Sequence, residues 1–500
     1  MEDSYQSSDQ SPLFKVKEQL PDDMFSSKFL FILITATGIG VFMGALDGSI
    51  INVSLQPMGA FFKVSQGVIS WVAIIYLIIM TSFTAIAGKI GDKYSNKLVF
   101  QVGMLIFTIG SLMSSLSTTF SILIISRIIQ AIGSTGLTAN GIAIITRFTT
   151  SKNRGTAIGW NSIFVAMALT LGPILGGILT SRFGWQTIFM INIPIGIIGL
   201  IYVQFAIPPT PPKDIGKKID LIGSGLFGFG LILLIGGPSL ISIMSVPAPT
   251  DTVIIYVIGA VISCLLGIIV LIIFYFTSKR KNDPIIDLSL FSDHTFVIGI
   301  ITAALVYGVM EMIIFQLPFL VININNFSDE QAGFVLLGIP LAMALVGPIS
   351  GRLSDKYDPK YLTTIGTGVL ILAMIGFALV TNATFNWFLI IPLTFFLGAS
   401  VAIFSSPNGN SIMSSVPKNR IGMVGGFIGI ARTLGFSMGI AVSAMLMVLF
   451  QPFFIQLYGG STTSASNYIP TYQTMVLFGA LFAIICIFIT YKTPKMIRAD

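Results

Sequence analysis

Charge is what this chain has least of: only 9% of its 500 residues are Asp, Glu, Lys or Arg, where an ordinary soluble protein carries about 25%. The shortage excludes a water-facing surface over most of the molecule. With 54% hydrophobic residues in its place, lipid is the expected solvent. Histidine is nearly absent, and one residue, His294, leaves no material for a His-based metal site or proton relay. The two cysteines, Cys264 and Cys486, fall inside apolar runs, which argues against a disulfide framework and redox chemistry. No Gly-x-x-x-x-Gly-Lys-Ser/Thr loop occurs, so ATP is not the expected energy source. Residues 1–28 are polar with mixed charge, and no cleavable signal peptide is visible.

What is abundant is the long apolar run. A bilayer core about 30 Å thick needs roughly 20 residues of helix, and such runs cover 29–56, 66–87, 98–116, 119–147, 157–180, 187–206, 219–242, 252–276, 294–322, 331–350, 361–380, 385–414, 423–448 and 472–491. The expected fold is an all-α integral membrane protein of fourteen spans. An even number puts both chain ends on one side. The net charge of +7 suggests no nucleic acid, because the bases follow the topology. Lys89, Lys93 and Lys97, then Arg147, Lys152 and Arg154, then Lys213, Lys217 and Lys218, then Lys279, Arg280 and Lys281 fall in loops on the same side as the N-terminus. The loops on the other side hold only Lys63 and Arg182. This is the positive-inside pattern, with both termini cytoplasmic.

An internal repeat divides the chain. Gly88-Lys-Ile-Gly-Asp92-Lys93-Tyr94 returns 263 positions later as Gly351-Arg-Leu-Ser-Asp355-Lys356-Tyr357, and Asn140-Gly141 returns as Asn408-Gly409. The offset exceeds six spans by two, so the architecture reads as six plus two plus six, in two pseudo-symmetric halves. The expected parts are a tail at 1–28, a six-helix bundle at 29–206, a linker with two additional spans at 207–281, a second bundle at 282–491 and a tail at 492–500. Pro208, Pro209, Pro211 and Pro212 make the linker's start stiff.

An offset of 264 aligns Gly44-Ala-Leu-Asp47 with Gly308-Val-Met-Glu311. Asp47, Arg127, Glu311 and Arg432 are charges inside spans, each costing roughly 2.5–3.5 kcal/mol on insertion scales without a cavity or partner. Counted from the span ends, Asp47 and Arg127 lie at one depth, roughly 12–14 Å from the surface, and can face each other. Asp47 is the first candidate for a proton site, since a carboxyl with a movable Arg partner can take up a proton on one side and release it on the other; a static pair that fixes helix packing is the plainer reading. Gln130 and Ser134 share a helical face with Arg127, suiting a polar stripe toward a cavity. Glu311 suits either recognition of a cationic substrate or a second proton site. Arg432 suits an interfacial, snorkelling position as well as a substrate contact. Ala168, Gly172 and Gly176 recur every four residues, a ridge allowing close helix approach; Pro173 adds a bend, and the expected use is a seam between the halves.

In order along the chain, these motifs resemble the major facilitator superfamily, and specifically its fourteen-span drug:proton antiporter family. The loop Gly88 to Lys97 resembles the signature between helices two and three. Arg127-Ile-Ile-Gln130-Ala-Ile-Gly133 resembles the fourth-helix motif, and Ala168-Leu-Thr-Leu-Gly172-Pro173-Ile-Leu-Gly176-Gly177 the antiporter motif of helix five. Leu46-Asp47-Gly-Ser-Ile50-Ile51-Asn52-Val53 is similar to the first-helix motif of the fourteen-span group. The resemblance implies a non-enzymatic, alternating-access exporter of hydrophobic compounds, cationic or neutral, in exchange for protons. No cofactor is expected, and the expected partners are a small-molecule substrate, protons and lipid, with a monomer in the plasma membrane as the default expectation. Asp47, Arg127 and Glu311 are then the proton-coupling residues, with Asn52, Gln130, Ser134 and Glu311 lining the substrate cavity. Gly88, Asp92, Lys93, Arg147, Arg154, Gly172, Pro173, Gly176, Gly177 and Asp355 are the gating set, Asp92 with Arg147 or Arg154 as partners and Asp355 suiting a turn or cap equally well. Alternatives are export of an endogenous metabolite such as an amino acid, siderophore or lipid, and a non-transporting sensor of the same fold. A membrane enzyme lacks the clustered acids or nucleophile it would need.

Overall fold

The computed structural model describes residues 27–149, 151–212, 220–244, 250–281, 284, 286, 288–354, 356–382, 387–416, 421–462 and 464–492. Among them lie α1 (Ser27–Phe62), α2 (Gln66–Ile69), α3 (Trp71–Lys93), α4 (Asn96–Ser115), α5 (Phe120–Arg147), α6 (Ser151–Phe183), α7 (Thr187–Met190), α8 (Asn192–Ala206), α9 (Leu221–Ser242), α10 (Thr250–Lys279), α11 (His294–Asn323), α12 (Asp329–Leu336), α13 (Gly338–Ser354), α14 (Pro359–Val380), α15 (Trp387–Ser414), α16 (Ile421–Tyr458) and α17 (Ala465–Tyr491). They make fourteen apolar crossings, because α2–α3, α7–α8 and α12–α13 are broken helices. Two breaks have a visible cause. Pro194 and Pro340 carry no N–H, so the Met190 and Leu336 carbonyls four residues earlier lose their helical partners, and the helix restarts after Ile191 and Leu337.

The starts are capped by the polar residues that precede the apolar runs. Ser65, Ser95, Thr119, Asp220, Asp293, Ser328 and Asp358 each accept a backbone N–H from the first turn of the helix that follows, satisfying donors that lipid could not. The ends differ from expectation where a helix outruns its apolar stretch. Span five, expected over 157–180, is part of a helix from Ser151 to Phe183. Span thirteen, expected to stop at 448, continues to Tyr458, and span fourteen begins at Ala465 rather than 472. Helical hydrogen bonding does not require apolar side chains, and Gln451 secures the following loop by donating to the Thr462 carbonyl at 2.6 Å.

In the first bundle α1 packs on α6 and α5 on both α3 and α4; in the second α11 packs on α16 and α15 on α13 and α14. The inserted pair, α9 and α10, packs on itself through small residues: a Cβ at Gly237 would lie 2.8 Å from the Ala260 carbonyl and one at Gly230 2.8 Å from Leu271. Asp220 caps α9 and pairs with Lys281 just beyond α10, closing the base of this hairpin. Its α9 lies against α3 and α16, one from each bundle, whereas Ile255, Ile258, Ile262, Leu265, Ile269 and Ile272 of α10 are exposed, as lipid contact requires. The Pro-rich linker is moored to α4: the Thr210 hydroxyl accepts from the Lys97 backbone N–H at 2.9 Å.

Candidate functional site

Four elements meet at Asp47. It lies on α1 with Arg127 and Gln130 on α5, Tyr76 on α3 and Asn192 on α8 around it. Arg127 Nη1 donates to Asp47 Oδ2 at 2.6 Å, Gln130 Nε2 to Oδ1 at 2.7 Å, and Asn192 Nδ2 to Oδ1 at 3.3 Å. Arg127 Nε reaches the Val72 carbonyl at 3.0 Å, and its guanidinium lies 4.3 Å from the Tyr76 ring centre and 5.6 Å from that of Phe189, close enough for cation–π attraction. Both charges are 0% exposed. The predicted juxtaposition of Asp47 and Arg127 is therefore present, with three donors converging on the carboxylate. The expected polar stripe is turned the other way. Gln130, bonded also to Ser111 at 2.8 Å, and Ser134, which accepts from Tyr76 Oη at 2.8 Å, are both fully buried inside the bundle, so neither lines an open cavity in this conformation.

Glu311 on α11 aligns with Asp47 in sequence but not in surroundings. It is 7% exposed, and its Oε1 accepts from Asn52 Nδ2 across the two bundles at 3.4 Å. Among the described residues it has no cationic partner. Asn52 lies five residues beyond Asp47 on α1, so the two acids do not share one cavity: Asp47 faces into its own bundle and Glu311 faces the other. Further bonds between the bundles cluster on the side of Asn52 away from the basic loops. Gln56 donates to Asn323 at 3.1 Å, Gln66 to Gln316 at 2.5 Å, and Tyr468 to Gln66 at 3.2 Å. Toward the basic loops a Cβ at Gly48, Gly425 or Gly429 would meet no atom within 4 Å, while Ala85 and Ile86 of α3 pack against the cluster of Val424 and Phe427. Of these polar groups, Gln66, Gln316, Asn192 and Tyr76 were missed by sequence reasoning; the signal available was a polar side chain within an apolar run. A separate cavity of about 340 Å³, between α12–α13 and α15, is lined by Phe334, Leu337, Gly338, Leu341, Ile391 and Phe395 and offers no polar side chain to orient a solute.

Over residues 37–440 the chain matches the Major Facilitator Superfamily. It belongs to that superfamily. It is 34% identical over 415 residues to the riboflavin transporter RibZ of Clostridioides difficile, covering 82% of this chain and 87% of that one. It is 27% identical over 417 residues to the multidrug resistance protein Stp of Mycobacterium tuberculosis, covering 82% and 74%. Among solved structures, a bacterial homologue of the human lysosomal transporter Spinster, inward-facing and unoccupied, superposes with a TM-score of 0.66 over 94% of this chain and 97% of that one, at 15% identity. The chain is thus a membrane transporter of the Major Facilitator Superfamily, similar to its multidrug exporters, and not an enzyme.

The helix-five motif and the signature loop lie at packed seams. In the helix-five motif the Ala168, Gly172 and Gly176 ridge does not face the other half as expected; it seats α1. A Cβ at Gly172 would fall 3.0 Å from the Ile50 N, one at Gly176 2.5 Å from the Ile50 carbonyl, and Ser49 donates to the Ala168 carbonyl at 3.1 Å. The neighbouring face, Pro173 and Gly177, is the one that meets the second bundle: a Cβ at Gly333 would lie 2.3 Å from the Pro173 carbonyl, and one at Gly177 2.6 Å from that of Asp329. In the signature loop, Asp92 accepts from Asn96 at 3.3 Å, and Asn96 donates to Asn140 on α5 at 3.1 Å. Arg147 lies within reach of the Asp92 charge, while the Arg154 side chain and Asp355 lie outside the described residues. Gly91, rather than Gly88, makes the close approach, with a Cβ 1.7 Å from Asn140 Oδ1. Lys93 Nζ sits 5.4 Å from the Tyr94 ring centre.

Proposed function

We infer that this protein exports hydrophobic compounds in exchange for protons, with its basic loops and both termini in the cytoplasm and its multi-pass body a monomer in the plasma membrane. In that orientation the hydrogen bonds between the bundles lie at Glu311 and on its outer side, which supports an inward-open arrangement. The observation that carries the reading is Glu311: a buried carboxyl on the seam between the bundles, held by one long bond to a neutral amide. It can gain or lose a proton without breaking an ion pair, and the seam itself must open in each transport cycle. Asp47 stands differently. The groups facing it are donors, and a protonated carboxyl keeps a hydrogen that needs an acceptor, so uptake there requires the ion pair with Arg127 to break and a neighbour such as the Asn192 amide to turn its oxygen toward the carboxyl. The pair with Arg127 instead fixes the rotation of α1 that presents Asn52 to Glu311. No cofactor is needed: each proton moving inward gains about 2.3 kcal/mol per 100 mV and about 1.4 kcal/mol per pH unit.

The test is substrate-dependent proton movement in liposomes containing the purified protein. Glu311→Gln is expected to abolish it, while Asp47→Asn retains part. Full proton movement in Glu311→Gln would return the proton site to Asp47, and no coupled movement with dyes, quaternary ammonium compounds or flavins would remove antiport from the reading. The identity with RibZ supports a second reading, in which the same machinery moves a planar metabolite such as a flavin; growth protection by the protein against cationic dyes separates the two.

A further inference from the structure

Arg432 is a cation deep inside a span that neither the Asp47 cluster nor the outer seam uses. It lies on α16, whose Gly435 and Gly439 pack on α11: a Cβ at Gly435 would sit 2.5 Å from the Ala304 carbonyl, and one at Gly439 2.3 Å from the Gly308 carbonyl and 3.0 Å from Glu311 Cβ. Gly439 thus marks the level of Glu311. Arg432, seven residues nearer the basic-loop end, lies roughly 10 Å below it, well short of the surface. Arg432 is half-buried and, among the described residues, makes no hydrogen bond or ion pair. Its helical face is the one formed by Gly425, Gly429, Arg432 and Phe436, at spacings of four, three and four. The two glycines look into unfilled space, and Phe436 meets the Tyr307 ring edge-on at 5.6 Å. Tyr307 precedes Glu311 by one turn on α11, and Glu311 faces the other bundle. The face therefore looks into the space between the bundles and not into lipid, where an unpaired guanidinium would be costly.

We propose that Arg432, flanked by the Tyr307–Phe436 aromatic pair, binds the carbonyl or carboxylate group of a planar aromatic substrate. A guanidinium presents its donors in one rigid plane that matches such acceptors, its charge strengthens the hydrogen bonds, and the two glycines leave room for a ring beside it. The subsite deepens the export reading, on which it rests for the identity of the cavity, and it shifts the substrate class from cations toward neutral or anionic acceptor-bearing planes.

Binding to the purified full-length protein in lipid nanodiscs tests it without any transport step. Riboflavin and fluorescein serve as acceptor-bearing probes, read by their own fluorescence, and ethidium as a planar cation without a carbonyl. Wild-type protein is expected to bind at least one acceptor-bearing probe. Arg432→Gln weakens that binding tenfold or more and leaves ethidium binding within twofold, with Arg432→Lys in between because it keeps the charge and loses the plane. Equal weakening of both classes, unchanged acceptor binding in Arg432→Gln, or no acceptor binding by the wild type would each overturn the subsite. Proton movement in liposomes is scored separately, so failure of the coupling reading is distinguishable from failure here.

Discussion

At the residue scale, Arg127 has more of its surroundings invested in it than any other charge described. Its guanidinium spans the Val72 carbonyl, Asp47 and Gln130 and lies over Tyr76, while Asp47 is wholly buried beside it. Removing one member of a buried pair leaves the other uncompensated, at about 3–5 kcal/mol, whereas removing both is far less costly. Arg127→Met is therefore expected to lower the unfolding temperature of the purified protein sharply, and Asp47→Asn added to it should recover much of the loss. Additive loss in the double variant would mean the two side chains do not support each other. This pair was legible in the sequence because a charge within an apolar run is rare enough to demand a partner, and depth along two spans set both at one level. Asn192 and Ser111 were not legible: neutral polar residues are common in spans, and nothing in their spacing says which way they turn. The equivalence of Asp47 and Glu311 was legible as position only. A repeat copies the backbone, and the side chains around each acid come from helices that have diverged.

At the element scale, the lesson lies in α6. Spacing by four identified a small-residue face, and that face exists, but α1 occupies it; the contact with the other bundle is made by the adjacent face, Pro173 and Gly177. Periodicity reports which residues share a face and carries no information on which neighbour covers it. The two faces predict different consequences. Gly172→Ala presses on the α1 backbone at Ile50 within one bundle and should cost stability, roughly 1–3 kcal/mol as overpacking, seen as a lower unfolding temperature. Gly177→Ala presses on the Asp329 carbonyl between bundles, which can separate as bodies. It should leave the unfolding temperature near that of the parent and expose the sealed end. With Cys264 and Cys486 replaced by Ser and a single cysteine at Asn323, a membrane-impermeant maleimide should label the Gly177→Ala protein faster than its parent. Equal rates would detach this face from gating. The breaks in the crossings expected as continuous over 66–87, 187–206 and 331–350 were not read from the sequence, although Pro194 and Pro340 mark two of them; the break at Ser70 has no comparable signal.

At the scale of the whole molecule, fourteen spans, the six-plus-two-plus-six plan and the superfamily were legible, because they follow from apolar run lengths, loop charge and a repeated motif. The conformation was not. In the alternating access proposed above, one chain has two arrangements whose spans, loops and repeat are the same, and the choice between them rests on the packing of Pro173 and Gly177 against Gly333 and Asp329 together with a few hydrogen bonds across the seam. Here those are Asn52 to Glu311, Gln56 to Asn323, and the chain from Tyr468 through Gln66 to Gln316. A neutral hydrogen bond contributes a net 0.5–1.5 kcal/mol or so; Gln66→Leu removes two of these at once and so weakens the sealed state by about 1–3 kcal/mol, a population shift of roughly 5–150-fold. Because such a shift acts on one equilibrium, it should appear at positions that do not touch Gln66. Spin labels at Lys63 and Asn326, exposed loop residues of the two bundles, should report a short distance in the parent and a growing long-distance population in Gln66→Leu. Acidification should alter that distribution in the parent protein and leave it unchanged in Glu311→Gln, since Glu311 is the proposed seam group that takes up the proton. A pH response that survives in Glu311→Gln would place the proton-sensitive group elsewhere and leave the seam a passive latch.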